Sequence, residues 1–299
     1  MSIPIETTSE WNQTGISIAG NNGKGDELNQ LNGPYSIRID HDDQSVYVAD
    51  YDNHRIVRWN CSANIGDVVA GGNGQGNQTN QFNHPRDFFL DKSNDSLIVC
   101  DYSNRRIVQW SRSKHVYQQT ILSNVDCWAI TLDNLGQIYI SDWKNDVVRR
   151  WNRQLNQMTI VAGGHGAGKQ LHQLDYPNFL VVDDEYSIYI SDWNNHRVMK
   201  WLRNAQQGII VAGGHDEGNR LHQLSYPQAI YLDHFKNIYI ADCRNHRIVR
   251  WSSINKQPTI IIADTQLNHP IGLDFDRFNH IFVADYFNQR IQKYFIQQK

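Results

Sequence analysis

The sequence Asp50-Tyr-Asp-Asn-His-Arg-Ile-Val-Arg-Trp59 is one of six copies of a ten-residue phrase in this chain of 299 residues. A period of roughly 40 to 50 residues is typical of β-propeller blades and of some solenoid repeats. The contents of each period must therefore distinguish these two architectures. The copies begin at Asp50, Asp101, Asp142, Asp192, Asp242 and Asp285.

Each period contains four short runs of strand-forming residues separated by turn residues. In the fourth repeat the runs cover residues 179–182, 188–191, 197–201 and 209–212. Ile, Val, Tyr and Trp favour strands, and no segment shows the spacing of an amphipathic helix. Four strands per repeat predict one antiparallel blade, so we expect an all-β, six-bladed β-propeller. We name the strands of a blade a to d, from the axis outward.

The two ends of the chain predict how the ring closes. The sixth repeat lacks an outermost strand d, whereas residues 15–20 match the d strands of other repeats. Pairing these residues with strand c of blade 6, along residues 290–295, removes the edges that an open array would expose. We therefore predict a single domain over residues 1–299 that the N-terminal strand closes. The predicted blades cover residues 34–72, 85–123, 127–164, 177–214, 227–264 and 270–296.

The phrase Asp-x-x-Asn-His-Arg-Ile, at residues 50–56 and 242–248, resembles the NHL repeat, as does Pro-x-x-apolar-x-x-Asp at residues 227–233. The resemblance extends over residues 15–296 and implies a six-bladed propeller. NHL-like propellers include protein- and RNA-binding modules, receptor ectodomains, a metal-dependent amidating lyase and more distant lactonases. Because a fold does not fix a function, the functional argument depends on individual residues.

Several phrase positions recur in nearly every blade, and we interpret them as structural. The Asp that ends strand b and the Asn three residues later suit a tight turn, and the Arg five residues after the Asp can pair with it. The third repeat departs from this pattern, with Val147 in place of the Arg. A second Asp begins each a–b turn, and the terminal aromatic residue packs between blades. A catalytic group is needed once, so repetition in six blades favours a structural interpretation.

Strand order places the b–c turns and the d–a loops on one face of the ring, which we call the top face. An aromatic residue follows the phrase Asp in five blades, where NHL repeats commonly carry a small or polar residue. Blade 5 has Cys243 instead. Aromatic rings can hold a peptide, a glycan or a base by stacking, so this rim is the predicted ligand site, and packing of the blade tops is the alternative. The rim residues are Tyr51, Tyr102, Trp143, Trp193 and Tyr286.

Histidines in the d–a connections suggest a second hypothesis, a metal site on the top face. Imidazole nitrogens are common zinc ligands, but the strand pattern does not show that these side chains converge. No cofactor is predicted, and a Ca²⁺ or Zn²⁺ ion in the axial channel stays an open alternative. The candidate ligands are His84, His172, His222 and His269.

Strand a carries charged residues near the axis in three neighbouring blades. They are Arg38 in blade 1, Asp87 in blade 2 and Asp274 in blade 6. Charges close to a core are either paired or costly. We therefore predict an Asp274–Arg38–Asp87 cluster beside the axis, which serves as a structural plug or as an anchor for a polar ligand.

Composition limits the classes of partner. The net charge of −3 gives no basic footprint for nucleic acid, and no apolar run approaches the ~18 residues of a membrane span. The first residues show no signal peptide, and the four cysteines are expected to be free thiols. Sequons nevertheless favour an extracellular location. They begin at Asn12, Asn60, Asn77 and Asn94.

These observations predict a monomeric binding scaffold for a protein, a peptide or a glycan, rather than an enzyme. One alternative is a metal-dependent lyase or a lactonase-type hydrolase with its site in the axial channel. The other is a domain that binds single-stranded RNA on the top face, which the negative net charge disfavours.

Overall fold

A computed structural model describes residues 10–20, 22–112, 118–263 and 265–297. These residues form six antiparallel sheets of four strands each. Within the described residues the helices are 3-10 turns of three residues, and none has the length and apolar character of a membrane span. The predicted all-β, six-bladed propeller is therefore confirmed.

The strands follow the chain from blade to blade. Blade 1 contains β2 (Pro34–Ile39), β3 (Val46–Asp50), β4 (Arg55–Trp59) and β5 (Asp67–Gly71). Blade 2 contains β6 (Pro85–Asp91), β7 (Ser96–Asp101), β8 (Arg106–Ser111) and β9 (Gln118–Ser123). Blade 3 contains β10 (Cys127–Leu132), β11 (Ile138–Asp142), β12 (Val147–Asn152) and β13 (Gln157–Gly163).

The second half of the chain repeats this arrangement. Blade 4 contains β14 (Pro177–Val182), β15 (Ile188–Asp192), β16 (Arg197–Trp201) and β17 (Ile209–Gly213). Blade 5 contains β18 (Pro227–Leu232), β19 (Ile238–Asp242), β20 (Arg247–Trp251) and β21 (Pro258–Ile262). Blade 6 contains β22 (Pro270–Phe275), β23 (Ile281–Asp285), β24 (Arg290–Tyr294) and the N-terminal β1 (Ile16–Gly20).

The N-terminal strand closes the ring as predicted. Strand β1 pairs antiparallel with β24, and Ile16 lies opposite Lys293. The contact continues before β1, because Trp11 forms a β-bridge with Ile296. Trp11 is only 1% exposed, and its indole N–H donates to the carbonyl of Asn279 at 2.8 Å. Sequence reasoning did not identify this second anchor.

In every blade except blade 3, the recurring Asp and Arg of the phrase connect the b–c turn to a d–a loop. In blade 1, Arg55 Nε donates to Asp50 Oδ2 at 2.7 Å, and Asn53 donates to the same oxygen. The other Arg55 nitrogens donate to backbone carbonyls of the loop, including that of Asp26 at 2.6 Å. The amide of Asn32, at the end of this loop, donates to Asp50 Oδ1. This network fixes the loop above the turn, so it positions the top face.

The structure of blade 3 shows why its phrase lacks the Arg five residues after the Asp. The connection into this blade is only residues 124–126, so no long loop is present whose carbonyls an Arg could bind. The carboxylate of Asp142 instead pairs with Arg149, whose Nε lies 2.6 Å from Asp142 Oδ2. Arg149 lies two residues after Val147 in β12, so its side chain is on the same face of the strand.

The expectation of four free thiols is wrong for two of the cysteines. Cys100 at the end of β7 and Cys127 at the start of β10 form a disulfide, which links blade 2 to blade 3. Cys61 and Cys243 remain free, the first exposed and the second buried. The sequence suggested thiols because no Cys-x-x-Cys pair is present, but strands of adjacent blades bring residues together that are 27 positions apart.

Candidate ligand-binding face

The five rim aromatics each begin a 3-10 turn between strands b and c. These turns start at Tyr51, Tyr102, Trp143, Trp193 and Tyr286, and all five side chains are partly buried. The sixth position, Cys243, is buried. The rim therefore has a gap at blade 5, and the five aromatics are placed where they combine packing with access to solvent.

Ring contacts join most of the rim into one cluster. Tyr102 stacks on Trp143 with centroids 5.9 Å apart, and Tyr51 lies 6.5 Å from Tyr102. Tyr176 lies between the two tryptophans, 4.8 Å from Trp143 and 5.1 Å from Trp193. The contacts thus extend over blades 1 to 4 without interruption.

Two d–a loop residues extend this surface and were missed at the sequence level. Tyr176 and Tyr226 each precede the Pro that begins strand a, and both adopt positive φ, 61° and 53°. This left-handed backbone is uncommon for an aromatic residue. Tyr226 packs on Trp193 with centroids 4.6 Å apart. The signal was the Tyr-Pro pair at residues 176–177 and 226–227, which the repeat comparison did not use.

A second layer of side chains lies beneath the rim, at the start of strand a. Tyr35 contacts Tyr51 and Tyr286, and Trp128 contacts Tyr102 and Trp143. Together with the rim residues and with Tyr176 and Tyr226, these rings form what we call the aromatic basin.

Arg86 is the charged residue at the centre of the aromatic basin. Its guanidinium carbon lies 3.6 Å from the ring centroid of Trp128 and 3.9 Å from that of Tyr102. Tyr35 and Tyr51 lie at 4.6 and 5.1 Å. Contacts of a guanidinium with aromatic faces are attractive, more so when both groups are shielded from water.

Two aromatic rings meet across the axis at the base of the aromatic basin. Phe179 of blade 4 is buried and stacks on Tyr35 of blade 1, with ring centroids 6.2 Å apart. In the closed ring these two blades are opposite each other, so the contact crosses the axis. Blades 3 and 5 carry Ala129 and Ala229 at the equivalent position, which leaves room for the phenyl ring.

The three charged residues of strand a lie deeper and differ in their partners. Arg38 pairs with Asp87, with 2.9 Å between Arg38 Nη2 and Asp87 Oδ1, and Ser36 donates to the same carboxylate oxygen. Asp274 instead accepts hydrogen bonds from the amides of Ile39 and Phe275. Burial raises the pKa of Asp274, although the nearby Arg38 and the two amides oppose this shift.

The four histidines considered as metal ligands do not gather in one place. His84 packs on Tyr51, and His269 packs on His246 and Phe287. His172 and His222 pack on loop histidines of their own blades, at 4.9 and 5.1 Å. Across residues 10–20, 22–112, 118–263 and 265–297, no group of three or more His, Cys, Asp or Glu is placed to hold a metal ion.

The titratable groups of the basin are mostly neutral at physiological pH. Burial raises the pKa of Tyr35, Tyr51 and Tyr286, in each case against the opposing effect of Arg86. Burial likewise raises the pKa of Tyr176 and of the Cys243 thiol, each to about 12. None of these groups therefore supplies an anion to balance Arg86.

Comparisons with known proteins agree with the repeats and the ring. The NHL repeat family matches residues 31–59, which contain the first copy of the phrase. The other five copies occupy the same place in their blades, between the end of strand b and the end of strand c. The chain is an NHL-repeat β-propeller. A search of curated proteins found no match to its sequence.

Solved structures share the fold of this NHL propeller at low sequence identity. An auxiliary nutrient binding protein from Bacteroides ovatus matches with a TM-score of 0.74 and 14% identity, over 97% of this chain and 78% of the other. A catalytically inactive virginiamycin B lyase from Staphylococcus aureus, with quinupristin, gives a TM-score of 0.63 and 13% identity over 95% and 99%. A chain of a nidogen/laminin complex gives 0.63 and 16% over 80% and 83%.

Proposed function

We propose that this NHL propeller is a non-catalytic binding scaffold, and that its ligand, a glycan or a peptide, docks in the aromatic basin. The observation that supports this most strongly is the continuous set of ring contacts over blades 1 to 4, which leaves the five rim side chains partly exposed. Rings of this kind supply large contact area at a low cost in side-chain entropy.

The contact between Phe179 and Tyr35 across the axis supports binding on the surface over chemistry in the channel. A lyase or hydrolase site in the channel would need space for substrate where Phe179 and Tyr35 stack. Of the three structures compared above, two are described as a nutrient binding protein and as part of a complex, and one as a lyase, and a putative gluconolactonase also shares the fold. Those resemblances show the fold alone, so the proposal rests on the aromatic basin.

The test compares the wild type with the Trp143→Ala/Trp193→Ala variant. Both proteins are titrated with cello-, xylo-, manno- and chito-oligosaccharides, with a mixed hexapeptide library and with oligo(U) RNA. Phe235→Ala/Phe278→Ala is the matched control, because these two exposed phenylalanines lie in a–b turns on the opposite face. We expect the tryptophan variant to bind about tenfold more weakly, and the control to bind as the wild type does.

Two results would count against the proposal. One is equal affinity of the wild type and the tryptophan variant for a probe that binds. The other is binding of oligo(U) alone with a steep dependence on salt, which would favour the RNA alternative. Folding of each variant is checked by its near-ultraviolet circular dichroism, so that a loss of binding is not a loss of structure.

A further inference from the structure

Arg86 lacks the partner that a buried guanidinium normally has. The residue is 8% exposed, and its Nε and Nη1 atoms are buried without a hydrogen-bond partner among the described residues. The remaining nitrogen, Nη2, lies 3.5 Å from Tyr51 Oη, which is a weak contact. Buried charges are usually paired, because taking a charge out of water is costly.

The other buried arginines of the fold show which kind of partner Arg86 lacks. Arg55, Arg106, Arg197 and Arg247 are buried to the same degree, and each pairs with an Asp carboxylate at 2.6 or 2.7 Å. In the described part of the chain, no carboxylate oxygen lies within 4.0 Å of the Arg86 guanidinium. The nearby acid Asp52 is directed to His84, with 3.8 Å between Oδ1 and Nε2.

The same cluster holds further donors without acceptors. The indole N–H groups of Trp128, Trp143 and Trp193 are buried and find no acceptor among the described residues. Such groups are uncommon in folded proteins, and each one requires a physical explanation. Together with Arg86 they give the aromatic basin an excess of donors, which favours a ligand with acceptor oxygens.

We propose that Arg86 is the anchor of the ligand site, and that the ligand presents a carboxylate attached to a ring, as in an aromatic acid or a uronic acid sugar. This inference rests on the proposed function, whose site it refines. The planar fork of a guanidinium matches a carboxylate through two parallel hydrogen bonds. The rings around Arg86 supply the apolar surface on which the ring of the ligand stacks.

The carboxylate reaches Arg86 by displacing a tyrosine ring. Tyr51 and Tyr102 both lie against the guanidinium, and both are partly exposed on the top face. The single hydrogen bond between Arg86 and Tyr51 is long, so a charge-assisted bond to a carboxylate replaces it favourably.

The test uses pairs of probes that differ in the carboxylate. Benzoate is compared with benzamide, and glucuronate with glucose, by ligand-observed NMR titration of the full chain, and inorganic phosphate is the third anion. We expect each carboxylate to bind at least about tenfold more tightly than its neutral partner, and Arg86→Gln to abolish this difference. Arg244→Gln is the matched control, because Arg244 also stacks on a basin ring, that of Tyr226, but is exposed.

A third variant keeps the test decisive if Arg86→Gln does not fold. Arg86→Lys retains the charge without the planar fork, so we expect it to bind both carboxylates several-fold more weakly than the wild type. The stronger of benzoate and glucuronate identifies which kind of acid the site prefers.

Three results would overturn the inference. They are equal binding of carboxylates and neutral partners, binding of phosphate as tight as that of either carboxylate, and unchanged carboxylate affinity in both Arg86 variants. If neutral ring compounds bind and Trp143→Ala/Trp193→Ala weakens them, the binding function stands and the carboxylate specificity fails. If neither these probes nor those of the first panel bind, both proposals fail.

Discussion

The imidazole Nδ1 of His196 accepts a hydrogen bond from the backbone amide of Tyr226, 3.2 Å away. His196 is the fifth residue of the phrase in its blade, and Tyr226 immediately precedes strand a of the next blade. The bond therefore joins blade 4 to blade 5 on the top face. It requires a neutral imidazole, because a protonated ring has no lone pair left to accept.

Four of the other five junctions between blades use the same contact, two of them with His and two with another side chain. His54 accepts from the amide of His84, and His246 accepts from the amide of His269. Asp146 takes this position in blade 3 and Gln289 in blade 6, where Gln289 Oε1 accepts from the amide of Gly33 at 2.6 Å. Blade 2 departs from this pattern, because Arg105 at this position donates to the Asp126 carboxylate at 2.7 Å. In the other five blades the acceptor is kept while the residue type varies, which gives a physical reason for the His of the phrase.

Acid should weaken the two histidine junctions that burial keeps neutral. Burial lowers the pKa of His54 and of His196 below the 6.5 of a free imidazole. The unfolded chain then binds more protons just below pH 6.5, so the free energy of unfolding falls as the pH falls through that window. We expect His54→Gln/His196→Gln, which keeps an acceptor, to lose less stability between pH 7 and 5 in urea titrations.

Comparing the wild type with the variant separates the contribution of the two histidines to stability from that of the other titratable groups. Burial raises the pKa of Asp192 to about 6, so this carboxyl titrates in the same window with the opposite sign. Because the wild type and the variant share Asp192, its contribution cancels in their difference. Parallel pH profiles of the two proteins would contradict the assignment of the histidines as neutral acceptors.

Loss of Trp11 should destabilise ring closure. Its indole ring packs against Tyr239 and Phe275 and donates to Asn279. Removing a buried Trp side chain typically costs about 3–5 kcal/mol, so Trp11→Ala should lower the free energy of unfolding by this amount in guanidinium titrations. Ile16→Ala is the control, because Ile16 is 50% exposed on β1, and we expect less than about 0.5 kcal/mol. Equal effects of the two changes would refute the anchoring of the N-terminal segment by Trp11.

Moving an Arg from position 149 to position 147 of β12 should test the pairing of Arg149 with Asp142. Arg149→Val leaves the buried Asp142 carboxylate without its partner, which should cost about 3 kcal/mol of stability. Val147→Arg/Arg149→Val returns an Arg to the sixth residue of the phrase, as in the other blades, and should recover part of this loss in the same denaturant assay. A double variant no more stable than Arg149→Val would show that an Arg at position 147 cannot pair with Asp142 in a blade with a short loop.

Thiol titration should find two reactive cysteines in the unfolded, non-reduced chain, Cys61 and Cys243. The bond between Cys100 and Cys127 closes a loop of 27 residues, so reduction should lower stability by about 3 kcal/mol. Cys61→Ser should reduce the count by one without changing the melting temperature. Four reactive thiols before reduction would show that the disulfide does not form in solution.

The repeat carried most of the fold information. In the fourth repeat the four predicted runs lie within β14 to β17, and each differs from its strand by at most two residues. The strand pattern of each repeat was sufficient to predict the strands, and the missing outer strand of the sixth repeat was sufficient to predict ring closure. Both features can be recognised in the sequence alone. Trp11 escaped prediction because it has no counterpart in the repeat.

The repeat pattern predicted only part of the candidate site. The rim aromatics recur at the same repeat position in five blades, so a comparison of the repeats reveals them. Arg86 does not recur at its own repeat position. The residue after the start of strand a is different in every blade, and one of the six is charged. Which of these side chains meet at the axis depends on ring closure and side-chain direction, which a repeat comparison does not supply. The six residues that follow the start of strand a are Tyr35, Arg86, Trp128, Asn178, Gln228 and Ile271.

Pairing of β1 with β24 has a consequence for synthesis of the protein. During translation, β1 emerges long before its partner, and roughly 270 residues at 5–20 residues per second separate the two. Blades 1 to 5 can form in order as they leave the ribosome, while β1 waits with an unsatisfied hydrogen-bonding edge. The ring can therefore close only after β24 has been made, tens of seconds after β1, so blade 6 is the last of the six blades to be completed.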